Sequence, residues 1–206
     1  MLPFFLIKTI KPLEQKLRSL YMDRANQVAP KITPFISKKD MVLDLGCGTG
    51  SIAKLIQKVK SPKITLVDVQ HNQICDQYPV IIYDGKSLPF ADNHFSISLL
   101  TTVLHHTKNP MQVLDEAIRV SSDKIIIMED VFTDFLGRMI TFIGDCLINW
   151  EIRSPVNNKT TDQWLKIFEK KNLKLIHLEE FKLRVAGFPF KLAIFVLKKK
   201  GRGNET

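Results

Sequence analysis

Residues 42–50 read Val-Leu-Asp-Leu-Gly-Cys-Gly-Thr-Gly, and an acidic residue, Asp68, closes the next apolar run. No other stretch limits so strongly what the chain can fold into. A short, β-branched apolar run reads as a buried strand. Glycines at 46, 48 and 50 then let the main chain turn sharply and approach a ligand where a Cβ would collide. After them Ile52, Leu55, Ile56 and Val59 fall at i, i+3, i+4 and i+7, which is one face of a helix. Strand, glycine turn and helix N-terminus make the phosphate- or nucleoside-side cradle of a doubly wound α/β sheet. Asp68, 22 positions after Gly46, stands where a ribose diol needs a carboxylate acceptor. A dinucleotide cradle would carry Gly or Ala at position 51; this chain has Ser51.

The rest of the pattern alternates strand and helix. Strands are expected near 41–45, 63–67, 80–83, 95–100 and 124–129, with helices near 50–60, 70–77 and 110–120. Such alternation predicts a parallel sheet covered on both faces. Residues 12–36 read as a helical cover ended by Pro30 and Pro34. Later, Phe135–Trp150 is amphipathic, with Leu136, Met139, Ile140, Ile143, Leu147 and Trp150 on one side and Arg138, Thr141, Asp145 and Asn149 opposite. A polar segment, 154–158, leads to a capped helix near Thr161–Lys171. Two last strands are expected over Leu173–Glu179 and about Phe188–Leu197.

The glycine turn is one member of an ordered series. Asp44-x-Gly46-x-Gly48-x-Gly50 with Asp68 downstream resembles the cofactor motif of class I S-adenosylmethionine-dependent methyltransferases. Asp84-Gly85, Leu88–Ser96 before Ile97–Leu100, and Val103-Leu104-His105-His106 followed by Pro110 and Leu114–Val120 continue the likeness. Those later elements are similar to the small-molecule branch (methyltransferase type 11) that includes ubiquinone and menaquinone biosynthesis enzymes. The resemblance spans roughly 38–130. It implies a Rossmann-like methyltransferase fold: α/β, doubly wound, seven strands mostly parallel, the last one antiparallel. The 206 residues then divide, within one domain, into an N-terminal helical cover (1–37), cofactor core (38–130), substrate-cover insertion (131–160), helix and strand pair (161–200) and tail (201–206). The Lys-Pro-Gly-Gly turn usual before the fifth strand is replaced here by Ser121-Ser122-Asp123-Lys124.

The same resemblance assigns expected roles. Gly46, Gly48 and Gly50 would pass beneath S-adenosylmethionine, and Asp44 would reach its amine, through water. Asp68 would hold the ribose, Asp84 with Gly85 would meet the adenine, and Val69 would pack on the adenine face. Thr101 (with Thr102 beside it) ends the fourth strand at the ligand-binding edge. His105 and His106 are candidate bases, since histidine titrates near neutrality; the structural alternative is one packed and one solvated ring. Glu129 and Asp130 end the fifth strand, and because adjacent side chains point oppositely at most one should face the pocket. Phe132, Phe135, Met139, Phe142, Ile143 and Trp150 would suit an apolar or aromatic acceptor, or simply form core.

Composition sets the alternatives. Cys47, Cys75 and Cys146 are too few and scattered for a disulfide framework or a zinc site, so no metal is expected and a reducing, cytoplasmic setting is. Met1–Ile7 is apolar but Lys8 ends it, no signal peptide is expected, and no run approaches a membrane span. Thirty basic against 21 acidic residues give a net charge of +9, concentrated at Lys8, Lys11, Lys16 and Arg18 and again at Lys198–Lys200 and Arg202. With Phe4 and Phe5, the basic N-terminal residues could touch a membrane surface. The leading expectation is methyl transfer to a small, hydrophobic or aromatic metabolite at oxygen or carbon. Charge motivates RNA as the alternative acceptor, against which stands the absence of an Asn/Asp-Pro-Pro-Tyr/Phe or Pro-Cys motif. A cofactor-binding partner protein without chemistry of its own is the third reading. Oligomeric state is not legible.

Overall fold

The computed structural model describes residues 11–71, 79–132, 158–185 and 187–200. They form a sheet of seven strands: β1 (Met41–Leu45), β2 (Lys63–Asp68), β3 (Val80–Ile82), β4 (Phe95–Thr101), β5 (Ser121–Asp130), β6 (Leu173–Val185) and β7 (Phe188–Lys199). Their order is β3-β2-β1-β4-β5-β7-β6. β1 to β5 pair in parallel, and β7 runs antiparallel between β5 and β6. The order reverses at β1, between β2 and β4, which is where ligands bind in open sheets of this kind.

Strand alternation sorts the core into two layers. Leu43, Leu45, Ile125, Ile127 and Phe195 face α3 (Pro110–Val120) and α4 (Thr161–Lys170). Val42, Ile97, Ile126, Met128 and Ile194 face α1 (Lys11–Ile32) and α2 (Ser51–Lys60). Each β5 residue from Ile125 to Met128 is fully buried, which explains the unbroken apolar run. α4 is capped as its sequence suggests: Thr160 accepts from the Gln163 amide while Gln163 reaches back to Thr160.

Three boundaries differ from expectation. Pro30 does not end α1, which runs on to Ile32. Pro30 is exposed in the last turn, while Val28, Ala29 and Ile32 anchor that turn in the core. The missing amide there costs less than those contacts return. Pro34 instead opens a short 3-10 turn, Thr33–Phe35. β5 begins at Ser121, with no intervening loop after α3. The buried Ser121 hydroxyl donates to the Ala117 carbonyl (2.6 Å), satisfying the helix end that a glycine turn would otherwise close. β6 continues to Val185, well beyond Glu179, because Leu183 and Val185 find the α1-side core.

The expected helix at 70–77, the amphipathic stretch 135–150, most of 154–158, the first ten residues and the tail lie wholly or mostly outside the described residues. No helix among the described residues is long and apolar enough to cross a membrane.

Candidate active site

The glycine turn hangs on β2. The Gly46 and Cys47 amides donate to the Val67 carbonyl (2.8 and 3.2 Å), which folds the chain over the strand end. Gly46 sits at φ +73°, and a Cβ there would lie 2.6 Å from Val103 Cγ2. Gly46 is thus required by packing against the β4 turn. Gly48 (φ +53°) differs: nothing lies within 4 Å of where its Cβ would be. Its bare face opens onto free space, as a cradle for a ligand requires.

Asp68 organises the same turn. Its Oδ2 accepts from the Gly48 amide (2.8 Å) and its Oδ1 from the Val69 amide (2.7 Å). The carboxylate therefore positions the glycine turn as well as facing the edge where a ribose would lie. Asp44 is 2% exposed and its Oδ1 has no hydrogen-bond partner among the described residues. Burial, with the nearby Asp68 charge, pushes its pKa up to about 7. An orphaned, buried carboxyl oxygen beside the turn fits a cationic amine.

On the far side, Gly85 (φ +76°) approaches Val69, whose methyl would be 3.4 Å from a Cβ at 85. Val69 is a large apolar side chain left 55% exposed, next to Gly85 and suited to a flat base. Asp84 accepts the Lys86 and Ser87 amides through Oδ1 (2.8 and 3.0 Å), and these bonds hold its carboxyl below the usual range. Asp84 therefore builds its own loop, whatever else it contacts. The donor set, bare Gly48 face and orphan Asp44 oxygen together fit S-adenosylmethionine.

The two histidines have opposite fates. His105 is fully buried, its Nδ1 joined to Glu129 Oε2, and its Nε2 lies 3.6 Å from Asp130 Oδ2. Glu129 Oε1 also accepts the Val103 and Leu104 amides (3.1 and 2.8 Å). His105 and Glu129 hold the 103–106 turn from beneath. His106 stacks obliquely on His105, ring centroids 3.9 Å apart, and faces a pocket instead. Burial, His105 and the Arg24 charge hold its pKa down to about 3, so its imidazole is neutral.

That pocket, a cleft open to solvent, has a polar floor of Arg24, Thr102, His106 and Asp130. Leu20 and Tyr21 of α1 and Leu183, Val185, Phe190 and Leu192 of the β6–β7 hairpin wall it. Of the two strand-end threonines, Thr102 lines it, while Thr101 is buried at the strand terminus. Thr102 is a β-branched residue at φ +55°, a strained geometry worth about 1–3 kcal/mol. Three bonds hold it: its amide to the Met128 carbonyl (2.6 Å), its hydroxyl to the Thr101 carbonyl (2.7 Å), and Arg24 Nη2 to its Oγ1 (2.8 Å). Asp130, not Glu129, is the β5 carboxylate that reaches the pocket.

Sequence reading missed Arg24 and the hairpin wall. Arg24 lies four residues from both Leu20 and Val28, so a cation interrupts an apolar helical stripe. Phe181, Leu183 and Val185 alternate like a strand. Both signals were present, but neither sits near a recognisable motif. The C-terminal lysines lie elsewhere: Lys198 pairs in register with Lys124 at the opposite edge of the sheet and meets Asp123 (3.0 Å).

Residues 43–126 match a family model described as "Methyltransferase domain". The Methanocaldococcus jannaschii protein MJ1123 is 36% identical over 102 residues, 47% of this chain and 48% of that protein. The chain thus spans about half the length of this curated relative. The mouse protein named "Probable tRNA methyltransferase 9B" is 28% identical over 93 residues, 42% of the chain and 20% of that protein. A solved S-adenosylmethionine-dependent methyltransferase from Methanosarcina mazei superposes with TM-score 0.66 at 14% identity, covering 82% of this chain and 97% of that one. At that identity the likeness speaks to fold. The sequence match over residues 43–126 is to a methyltransferase domain, and the glycine cradle and strand order belong to the fold that the solved S-adenosylmethionine-dependent methyltransferase shares.

Proposed function

We propose that the chain transfers a methyl group to oxygen or carbon of a small, largely apolar metabolite. The observation that carries this reading is the pocket beside the glycine cradle, with four aliphatic or aromatic hairpin residues facing a narrow polar floor. Val103 packs against Gly46 and lies between Thr102, which lines the pocket, and the turn that bears His106, so one short segment joins the cradle to the pocket.

Bound S-adenosylmethionine would supply an electrophilic methyl carbon on a sulfonium. The chain's own residues would do the rest. Gly46, Gly48 and Gly50 admit the cofactor, Asp44 and Asp68 hold its amine and ribose, and Val69 with Gly85 flanks its base. Leu183, Val185, Phe190 and Leu192 exclude water and orient the acceptor for in-line attack, in which position matters most. Neutral His106 can accept a hydrogen bond from an acceptor hydroxyl. Its low basicity makes it a modest proton acceptor, so positioning supplies most of the rate.

A second reading is favoured by one observation, the partial similarity to the mouse tRNA methyltransferase together with the +9 charge. Against it, the C-terminal basic cluster lies at the sheet edge away from the cradle. Purified protein incubated with methyl-labelled cofactor and fractionated cell extract separates the readings. Label in an organic-soluble metabolite supports small-molecule transfer, and label in RNA overturns it. Cofactor binding without transfer to any fraction favours a binding role alone.

A further inference from the structure

We infer that Arg24 receives an ionised oxygen of the methyl acceptor, making the pocket selective for a small anion with an apolar body. This inference rests on the small-molecule reading above and narrows it. Arg24 is half-buried in the wall of the pocket, on a helix face otherwise committed to core through Ala25, Val28 and Ile32. One of its N–H groups is used, by Thr102 Oγ1 at 2.8 Å. No carboxylate among the described residues lies within 4 Å of the guanidinium. Other half-buried cations have carboxylate partners, as Arg119 has in Glu116 and Asp92, and Lys191 in Glu180.

A guanidinium has five donors in a fixed fork that matches a carboxylate or phenolate oxygen. Removing it partly from water without an anion is unfavourable, and a ligand anion would relieve that cost. The remaining floor suits the same ligand. His106 is uncharged there and does not compete as a cation, and Asp130 lies on the His105 side, 3.6 Å from its Nε2. Thr102, held in the left-handed region, fixes the angle at which Arg24 enters the pocket. The aliphatic hairpin residues then take the acceptor's hydrocarbon.

The test uses the full chain saturated with S-adenosylhomocysteine and matched probes titrated by calorimetry. The probes are 3-phenylpropanoate against 3-phenylpropan-1-ol for a carboxylate, and 4-nitrophenolate against 4-nitroanisole for a phenolate. At least one anion should bind about tenfold tighter than its neutral partner, and whichever pair discriminates names the oxygen. Arg24→Ala should collapse that ratio toward one, with Arg24→Lys retaining part of it and cofactor affinity changing less than about twofold. Equal binding within both pairs by the parent chain overturns the inference, as does an unchanged ratio in Arg24→Ala. Should Arg24→Ala fail to fold, the parent's own ratio and its decline with added salt give the answer, and a salt-insensitive ratio overturns it. Failure of the parent to bind S-adenosylhomocysteine at all sinks the methyl-transfer reading itself, a distinct outcome.

Discussion

The glycine-cradle edge and the pocket proposed for the acceptor are built in opposite ways. The edge comes from short stretches, 44–50, 67–69 and 84–87, whose amides bond to nearby carbonyls and carboxylates. The pocket draws on α1, the β4 turn, the end of β5 and the β6–β7 hairpin, which are far apart in the chain. The glycine cradle is built locally, whereas the pocket is assembled from scattered elements. The buried His105–Glu129 pair joins the two, since it fixes the turn that carries Val103 toward the cradle and His106 toward the pocket.

Breaking that joint should have the largest effect. Glu129→Ala leaves His105 and two amides without their buried acceptor and should cost about 3–5 kcal/mol in denaturant unfolding, impairing both regions together. A loss below about 1 kcal/mol would mean that the turn holds without the pair.

The two glycines sharpen the contrast within the edge. Gly46→Ala meets Val103 and a left-handed backbone at once, so it should lower stability by about 3 kcal/mol and spoil cofactor binding with it. Gly48→Ala meets only the backbone penalty, about 1 kcal/mol, yet puts a methyl into the open face proposed for the cofactor. Thermal unfolding and cofactor titration of both variants should therefore dissociate: Gly48→Ala loses affinity while staying nearly as stable as the parent. Equal stability losses would refute the packing role given to Val103.

Asp68→Ala removes the acceptor of the Gly48 amide and the carboxylate proposed to hold the ribose, and should weaken S-adenosylmethionine by at least about tenfold. The acceptor pocket should keep its affinity for an apolar probe. Parallel loss of both would show the regions to be one cooperative unit.

Asp44 sets a pH signature for the edge alone. Its pKa is raised from 3.8 to about 7 in the folded chain, so between those values the folded state holds a proton that the unfolded state has released. Raising pH through that window must therefore erode Asp44's contribution to stability, and above about 7 the erosion stops. Asp44→Asn lacks this slope, and its stability relative to the parent should rise from pH 4 to 7. A cationic amine favours ionised Asp44, so cofactor affinity should climb to about pH 7 and then level. Calorimetry in buffers of different ionisation enthalpy reads the proton released.

The smallest expected effect is that of His106→Ala, about tenfold in kcat with cofactor affinity unaltered. With a pKa of about 3, His106 stays neutral over the working range, so the parent's kcat profile should show no inflection near 6.5 attributable to it. An inflection that disappears in the variant would mean that substrate binding restores its basicity.

These contrasts track what could be read in advance. Gly46, Gly48, Gly50, Asp68 and the existence of β1–β5 follow from one motif and a simple alternation, because those signals are carried by short runs of the chain. Asp84 was legible as a residue but its loop-forming bonds to Lys86 and Ser87 were not distinguished from a ligand contact. The pairing of His105 with Glu129 could not be seen, since 24 positions and the whole of α3 separate them.

By itself the amino-acid sequence determined the doubly wound sheet, the glycine cradle and its acidic partner, since strand and helix periods and glycine backbone freedom are local properties. Only the tertiary structure decided which histidine is exposed to an acceptor, that Thr102 is the strained pocket residue, and that Arg24 meets Thr102 across 78 positions. Those outcomes depend on where α1 and the β6–β7 hairpin pack across the sheet, and a contact between distant elements has no periodic trace in the chain.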